Sequence, residues 1–138
     1  MKIQAPASKV WDVLWKDETY RKWTSVFSGG SHAISDWKEG SKVLFLGFDG
    51  GGMYSVIDRL VPDQEMTFRH LGVVKGGVEQ PLDEETKKWS GALERYRLSG
   101  QDGQTTLYVE MDITEDFEQY FNDVFPRALE SVKEISES

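Results

Sequence analysis

The sequence predicts an α+β chain: an antiparallel meander of about six to seven short strands, two short helices after the first strand, and one long C-terminal helix. Three observations predict it. Residues 105–113 alternate cleanly, with Leu107, Val109, Met111 and Ile113 on one side and Thr106, Tyr108, Glu110 and Asp112 on the other. That pattern marks an antiparallel strand with one wet face. Near the C-terminal end Phe117, Phe121, Val124, Phe125, Ala128, Val132 and Ile135 recur every three or four residues, which is the apolar stripe of an amphipathic helix. Between them, the clusters Lys38-Glu39-Gly40-Ser41, Asp49-Gly50-Gly51-Gly52, Val61-Pro62-Asp63 and Ser99-Gly100-Gln101-Asp102-Gly103 separate short apolar runs. Tight turns at that spacing imply hairpins.

Taken in order, Ile3-Gln4-Ala5-Pro6 ends a short strand, and Pro6 suits the first position of a helix, where its missing N–H costs nothing. Val10, Trp11, Leu14 and Trp15 then form one helical stripe. Asp17 can cap a second short helix carrying Tyr20 and Trp23 three residues apart, and Ser28-Gly29-Gly30-Ser31 ends the pair. Strands are expected over residues 32–37, 43–46, 53–60 and 66–71, the last with Met66, Phe68 and His70 on one side. Residues 73–90 break the rhythm: Val73-Val74 leads into Lys75-Gly76-Gly77, then a polar run from Pro81 to Lys88 with room for one helical turn. A connection this long is either a functional loop or a solvated link. Strands over 92–98 and 105–113 follow. Thr114 can cap the final helix, whose positive end Glu115, Asp116 and Glu118 favour. Its stripe must bury against the sheet, the one large surface available. Pro126 removes a bond to the Asn122 carbonyl and predicts a kink.

Composition narrows the function classes. A chain of 138 residues fits one domain, residues 1–138, and a chain of about that length buries roughly 70% of its unfolded surface, so it needs no staple. Cysteine is absent, which excludes disulfides, thiolate-bound metals and thiol catalysis. No run approaches the roughly 20 apolar residues of a membrane span, and no apolar signal core follows Met1-Lys2-Ile3-Gln4; a cytoplasmic location is expected. A net charge of −8 repels phosphate backbones, so nucleic acid is not an expected partner. Five Trp, five Tyr and seven Phe supply either a core or a ligand pocket.

Motifs for catalysis are scarce. Asp49-Gly50-Gly51-Gly52 lies between two strands, whereas a phosphate loop needs a strand followed by a helix. His32 and His70 form no close pair, so neither a metal nor a cofactor is expected. His70 is either a satisfied core or rim histidine or a hydrogen-bond partner for a ligand. Glu94 shares strand parity with Ala92, Tyr96 and Leu98, opposite Leu93, Arg95 and Arg97. On an apolar wall its carboxyl could act as acid, base or anchor; the alternatives are a solvent-facing register or a structural bond to a nearby Arg or Tyr. Trp89 stands between the polar run and a strand, in place to close a cavity mouth or to pack at a rim.

The order strand, two helices, six strands, long helix, opening on Ile3-Gln4-Ala5-Pro6-Ala7-Ser8-Lys9-Val10-Trp11, resembles the SRPBCC, or START-like, superfamily. Its frequent opening is I-x-A-P-x-x-x-V-W. Tyr20 and Trp23, Gly40, Gly52 with Pro62, and Gly103, Thr105 and Leu107 are similar to further family positions. The nearest branch resembles the homologues of the activator of heat-shock-protein-90 ATPase. The resemblance implies a helix-grip fold: a curved antiparallel sheet wrapped around the C-terminal helix, with a cavity between them and Glu94 on the inner face. It implies a small hydrophobic or amphipathic ligand, such as a lipid, fatty acid or aromatic metabolite, contacted by Trp11, Phe45, Tyr54, Phe68, His70, Trp89, Glu94, Tyr96, Phe121 and Phe125. No catalytic residue is assigned. The alternatives it leaves are a cyclase, dehydratase or hydrolase using Glu94 with His70 or Tyr96, and a co-chaperone or stress-response module. In that last case the protein partner would be a chaperone or a second copy, with residues 76–88 as a contact.

Overall fold

A computed structural model of the chain describes residues 1–27, 30–47, 49–113 and 115–138, with the backbone alone for 115–117. The chain runs β1 (Lys2–Ile3), α1 (Ala7–Trp15), α2 (Asp17–Trp23), a 3-10 turn (Thr24–Val26), β2 (His32–Ser35), β3 (Lys42–Leu46), β4 (Gly52–Val61), β5 (Glu65–Lys75), β6 (Val78–Glu79), α3 (Glu84–Lys87), β7 (Leu93–Gln101), β8 (Gln104–Met111) and α4 (Glu115–Glu137). All strands join one antiparallel sheet in the order β1-β8-β7-β5-β4-β3-β2, with β6 paired to β5.

Among the described residues the sheet has eight strands, one more than the upper expectation. The addition is β6. Val73 and Val74 carry β5 on to Lys75, and Gly76 and Gly77, with φ of 58° and 79°, turn the chain back. Two consecutive left-handed residues suit a hairpin and cost glycine little. In α3, Asp83 accepts the Thr86 N–H at 2.8 Å as the helix cap. Conversely β2 stops at Ser35, short of Trp37: Trp37 takes a φ of 54°, which no strand continues through, and its ring lies 6.0 Å from that of Trp15.

Two register shifts between β4 and β5 bend the sheet and strengthen its twist: at Tyr54/Ser55 the extra residue is Leu71 on β5, and at Ile57/Arg59 it is Asp58 on β4. The concave side of the curved sheet faces the helices. Ile3, Val10, Leu14, Trp23, Val43, Ile57, Met66, Phe68, Leu107, Ala128 and Val132 form the buried cluster between them. α4 contributes Val124, Ala128 and Val132 and runs uninterrupted through Pro126. The expected cap Thr114, the side chain of Phe117, and the turn residues Ser28 and Gly29 lie outside the described residues. Among the described residues no helix is long and apolar enough to cross a membrane.

The two-residue edge strand β1 is held from both sides. Thr105 Oγ1 donates to the Ala5 carbonyl at 2.7 Å, and the Gln4 N–H donates to Glu137 Oε2 at 2.8 Å. Lys133 Nζ bonds the Lys2 carbonyl at 3.2 Å and Glu137 at 2.6 Å. The Gln4 N–H first, and Lys133 next, hold the Glu137 carboxyl below the ordinary glutamate range. A depressed carboxyl stabilises the fold above its unfolded pKa of about 4.3 and loses that contribution as pH falls through its folded value. Amide exchange at Gln4 is therefore expected to accelerate below about pH 4, and Glu137→Gln to abolish that dependence. A flat Gln4 exchange profile, once intrinsic acid effects are removed, would disprove the clamp.

Candidate functional site

The sheet and α4 do not meet everywhere. Between them, walled also by α1, α2 and the tip of the β3–β4 hairpin, lies a cavity of about 670 Å³. Ligand pockets commonly span about 300–1,000 Å³. Its sheet wall is built from Phe45, Phe68, Tyr96 and Met111, its helical wall from Trp15, Trp23, Phe121 and Phe125. The rings interlock edge to face: Trp15 lies 5.3 Å from Phe68 and 5.0 Å from Tyr96, Phe45 lies 5.0 Å from Phe68, and Phe27 lies 5.1 Å from Phe125. Such geometry suits the ring quadrupoles and fixes each side chain.

One polar strip crosses this aromatic wall. Ser55 Oγ lies 2.7 Å from His70 Nδ1, His70 Nε2 lies 2.9 Å from Glu94 Oε1, and the Tyr96 hydroxyl donates to Glu94 Oε2. Strand register makes the strip. Ser55 pairs with His70 across β4 and β5, Phe68 pairs with Glu94 across β5 and β7, and the two-residue period turns His70, Glu94 and Tyr96 to the same face. Ser55 is 0% exposed and outside the cavity wall, so it serves the histidine rather than a ligand. When His70 donates from Nε2 to Glu94, its Nδ1 accepts the Ser55 hydroxyl proton, which selects tautomer and ring orientation together. The side chains of His70 and Glu94 keep 10% and 18% of their exposure.

Burial, and after it the Glu94 charge, pushes the Tyr96 phenol well above its usual pKa. The same two causes in the same order raise Tyr20. Both phenols therefore stay protonated at any ordinary pH. Trp15 Nε1 is a buried donor without a protein partner. Among the described residues, no three His, Asp or Glu side chains come together as a metal site would require.

Of the residues singled out in the sequence, Phe45, Phe68, His70, Trp89, Glu94, Tyr96, Phe121 and Phe125 lie on the cavity wall. Trp11 and Tyr54 do not. Trp11 sits one helical turn before Trp15 and packs edge-on against it at 6.2 Å, so Trp15 takes the wall position. Tyr54 points to the opposite face of β4 from Met53 and Ser55. Its ring fills the space beside Gly72, where a Cβ would come within 2.5 Å of it, and sits 5.9 Å from the Lys42 ammonium. Trp15, Tyr20, Trp23, Phe27, Met53 and Met111 are wall residues not singled out as such. Parity with Leu107 and Val109 marked Met111, and helical spacing marked Trp15. Ser55 shares the parity of Met53 and Ile57 on β4, which turns it inward, but its bond to His70 depends on pairing between strands that no local pattern gives.

No protein-family profile matches the chain, and no curated protein matches it in sequence. Solved structures do match. A solution structure of an Aha1 dimer from Colwellia psychrerythraea superposes with a TM-score of 0.72 at 20% identity, covering 99% of this chain and 92% of that one. CalU16 from Micromonospora echinospora gives 0.67 at 18% identity, covering 96% and 68%. The Mll3558 protein from Rhizobium loti gives 0.67 at 17% identity, covering 98% and 92%. The chain thus shares its fold with these solved structures, the helix-grip architecture that the opening motif and element order led us to expect.

Proposed function

We propose that this helix-grip chain, acting as one START-like domain over residues 1–138, binds a small hydrophobic or amphipathic molecule in the cavity between α4 and the sheet. The observation that carries the reading is the unfilled volume of about 670 Å³, walled by aromatic rings and crossed by a single polar strip. An apolar wall supplies affinity at about 25 cal/mol per Å² of ligand surface removed from water. The strip supplies orientation, because Glu94 accepts one bond per oxygen within it and keeps further lone pairs for a ligand's polar end.

The test is a panel of long-chain amphiphiles, sterol-like molecules and aromatic metabolites, followed by indole fluorescence and thermal unfolding. Trp15, Trp23 and Trp89 stand on the wall, so an occupant is expected to change their emission. A ligand held at about 100 times its Kd adds roughly 2.7 kcal/mol to stability, which for a chain of this size raises Tm by roughly 8–10 °C. A panel in which no class moves either signal would refute cavity binding.

A second reading is favoured by one observation: Glu94 touches both His70 and Tyr96 on the cavity wall. A carboxyl, an imidazole and a phenol joined in this way can pass a proton to or from a bound molecule. It is distinguished from binding alone by chemical conversion of a bound panel member that Glu94→Gln eliminates.

A further inference from the structure

Among the described residues, those lining the cavity include Glu94, Asp49 and Asp112 but no lysine and no arginine. An anionic ligand would therefore bury its charge beside carboxylates with no fixed cation to meet it. The strip offers an anion little help. His70 has Nε2 engaged by Glu94 and Nδ1 engaged by Ser55, and the Tyr96 hydroxyl is engaged by Glu94. The buried unpaired donor on the wall, Trp15 Nε1–H, is neutral and supplies one hydrogen bond.

Glu94 presents the opposite chemistry. Each carboxylate oxygen accepts one bond within the strip, and each oxygen has a second lone pair. The side chain keeps 18% of its exposure, so that acceptor capacity is open to the cavity. Phe68 and Tyr96 pack beside it at 0% and 1% exposure, so the carboxylate rather than a ring face meets a charged group.

Resting on the cavity-binding reading above, we propose that the molecule held here is a cationic amphiphile: a protonated amine on an apolar body, its ammonium hydrogen-bonded to Glu94 and its body among the rings of Phe45, Phe121 and Phe125. The preference comes from an acceptor-rich wall that, among its described residues, carries no lysine or arginine. It excludes fatty acids, which the sequence alone had left among the expected ligands.

The experiment is calorimetric titration with decylamine, decanol and decanoate near neutral pH, on the natural chain and on Glu94→Gln. Decylamine is expected to bind at least about 10-fold more tightly than decanoate, with decanol between them, and Glu94→Gln is expected to shrink that ratio to about threefold or less. Decanoate or decanol binding as tightly as decylamine would overturn the proposal while leaving cavity binding intact. So would an amine preference undiminished in Glu94→Gln, because it would report the overall charge of −8 rather than this site. If none of the three binds, the cationic-amphiphile proposal fails, and the wider ligand panel alone decides cavity binding. Should Glu94→Gln lose its cooperative thermal transition, titration of the natural chain at about 1 M salt replaces it: an amine preference that vanishes reports net charge and overturns the proposal, and one that persists supports it.

Discussion

Phe68→Ala is expected to lower the unfolding free energy by about 3–5 kcal/mol and Tm by roughly 10 °C or more. Phe68 is 0% exposed and stands where core and cavity meet. Its ring packs edge-on to Trp15 at 5.3 Å and Phe45 at 5.0 Å, and lies 6.4 Å from Tyr96. Alanine removes the ring's transfer energy and opens a void that these three rings, held by one another and by α1, β3 and β7, cannot collapse to fill. The void joins the cavity, so the variant should also accept a bulkier apolar body than the natural chain. Urea unfolding measures the first effect and the ligand panel the second. A loss under about 1 kcal/mol would show that the core does not depend on this ring.

Gly52→Ala is expected to cost about 3 kcal/mol or more, the upper end of overpacking effects. A Cβ there would stand 1.8 Å from the Phe45 carbonyl oxygen, 2.8 Å from its carbon and 3.1 Å from the Leu46 Cα. All three are backbone atoms of the paired strand, in a hairpin where Leu46 faces Gly52, so no side chain can turn away. β3 and β4 must separate at the point where the hairpin tip borders the cavity. The tip is otherwise tightly tied, with Gly47 N–H bonded to the Gly51 carbonyl at 2.8 Å, Gly51 N–H to Asp49 Oδ1 at 2.9 Å, and Gly77 N–H to the Gly50 carbonyl at 3.0 Å. Ligand affinity should fall with stability. A Tm within about 1 °C of the natural chain's would show that the hairpin yields freely.

Much of the architecture was legible because it rests on local periodicity. The alternation through Leu107 and Val109 places β8, and the stripe through Val124, Ala128 and Val132 places α4. Strand parity alone grouped Glu94 with Tyr96 and His70 with Phe68. It also sets Tyr54 out of phase with Met53, Ser55 and Ile57, but Val56 on the Tyr54 side makes both faces of β4 apolar, so the hydrophobic pattern does not say which of them meets the core. Trp37 and β6 were misjudged for a related reason: left-handed backbone at Trp37, Gly76 and Gly77 ends or turns strands without altering the hydrophobic pattern.

The sequence by itself determined the kinds and order of elements, the aromatic content of the interior and the grouping of Glu94 with Tyr96 on one side of β7, since propensity and period act over a few neighbouring residues. Only the tertiary structure decided that Ser55, His70 and Glu94 join in one strip, that Trp15 rather than Trp11 reaches the wall, and that the helix and sheet leave a hollow. Those outcomes depend on registers between residues 15 and 24 positions apart and on how far two curved surfaces stand from each other, neither of which any local pattern encodes.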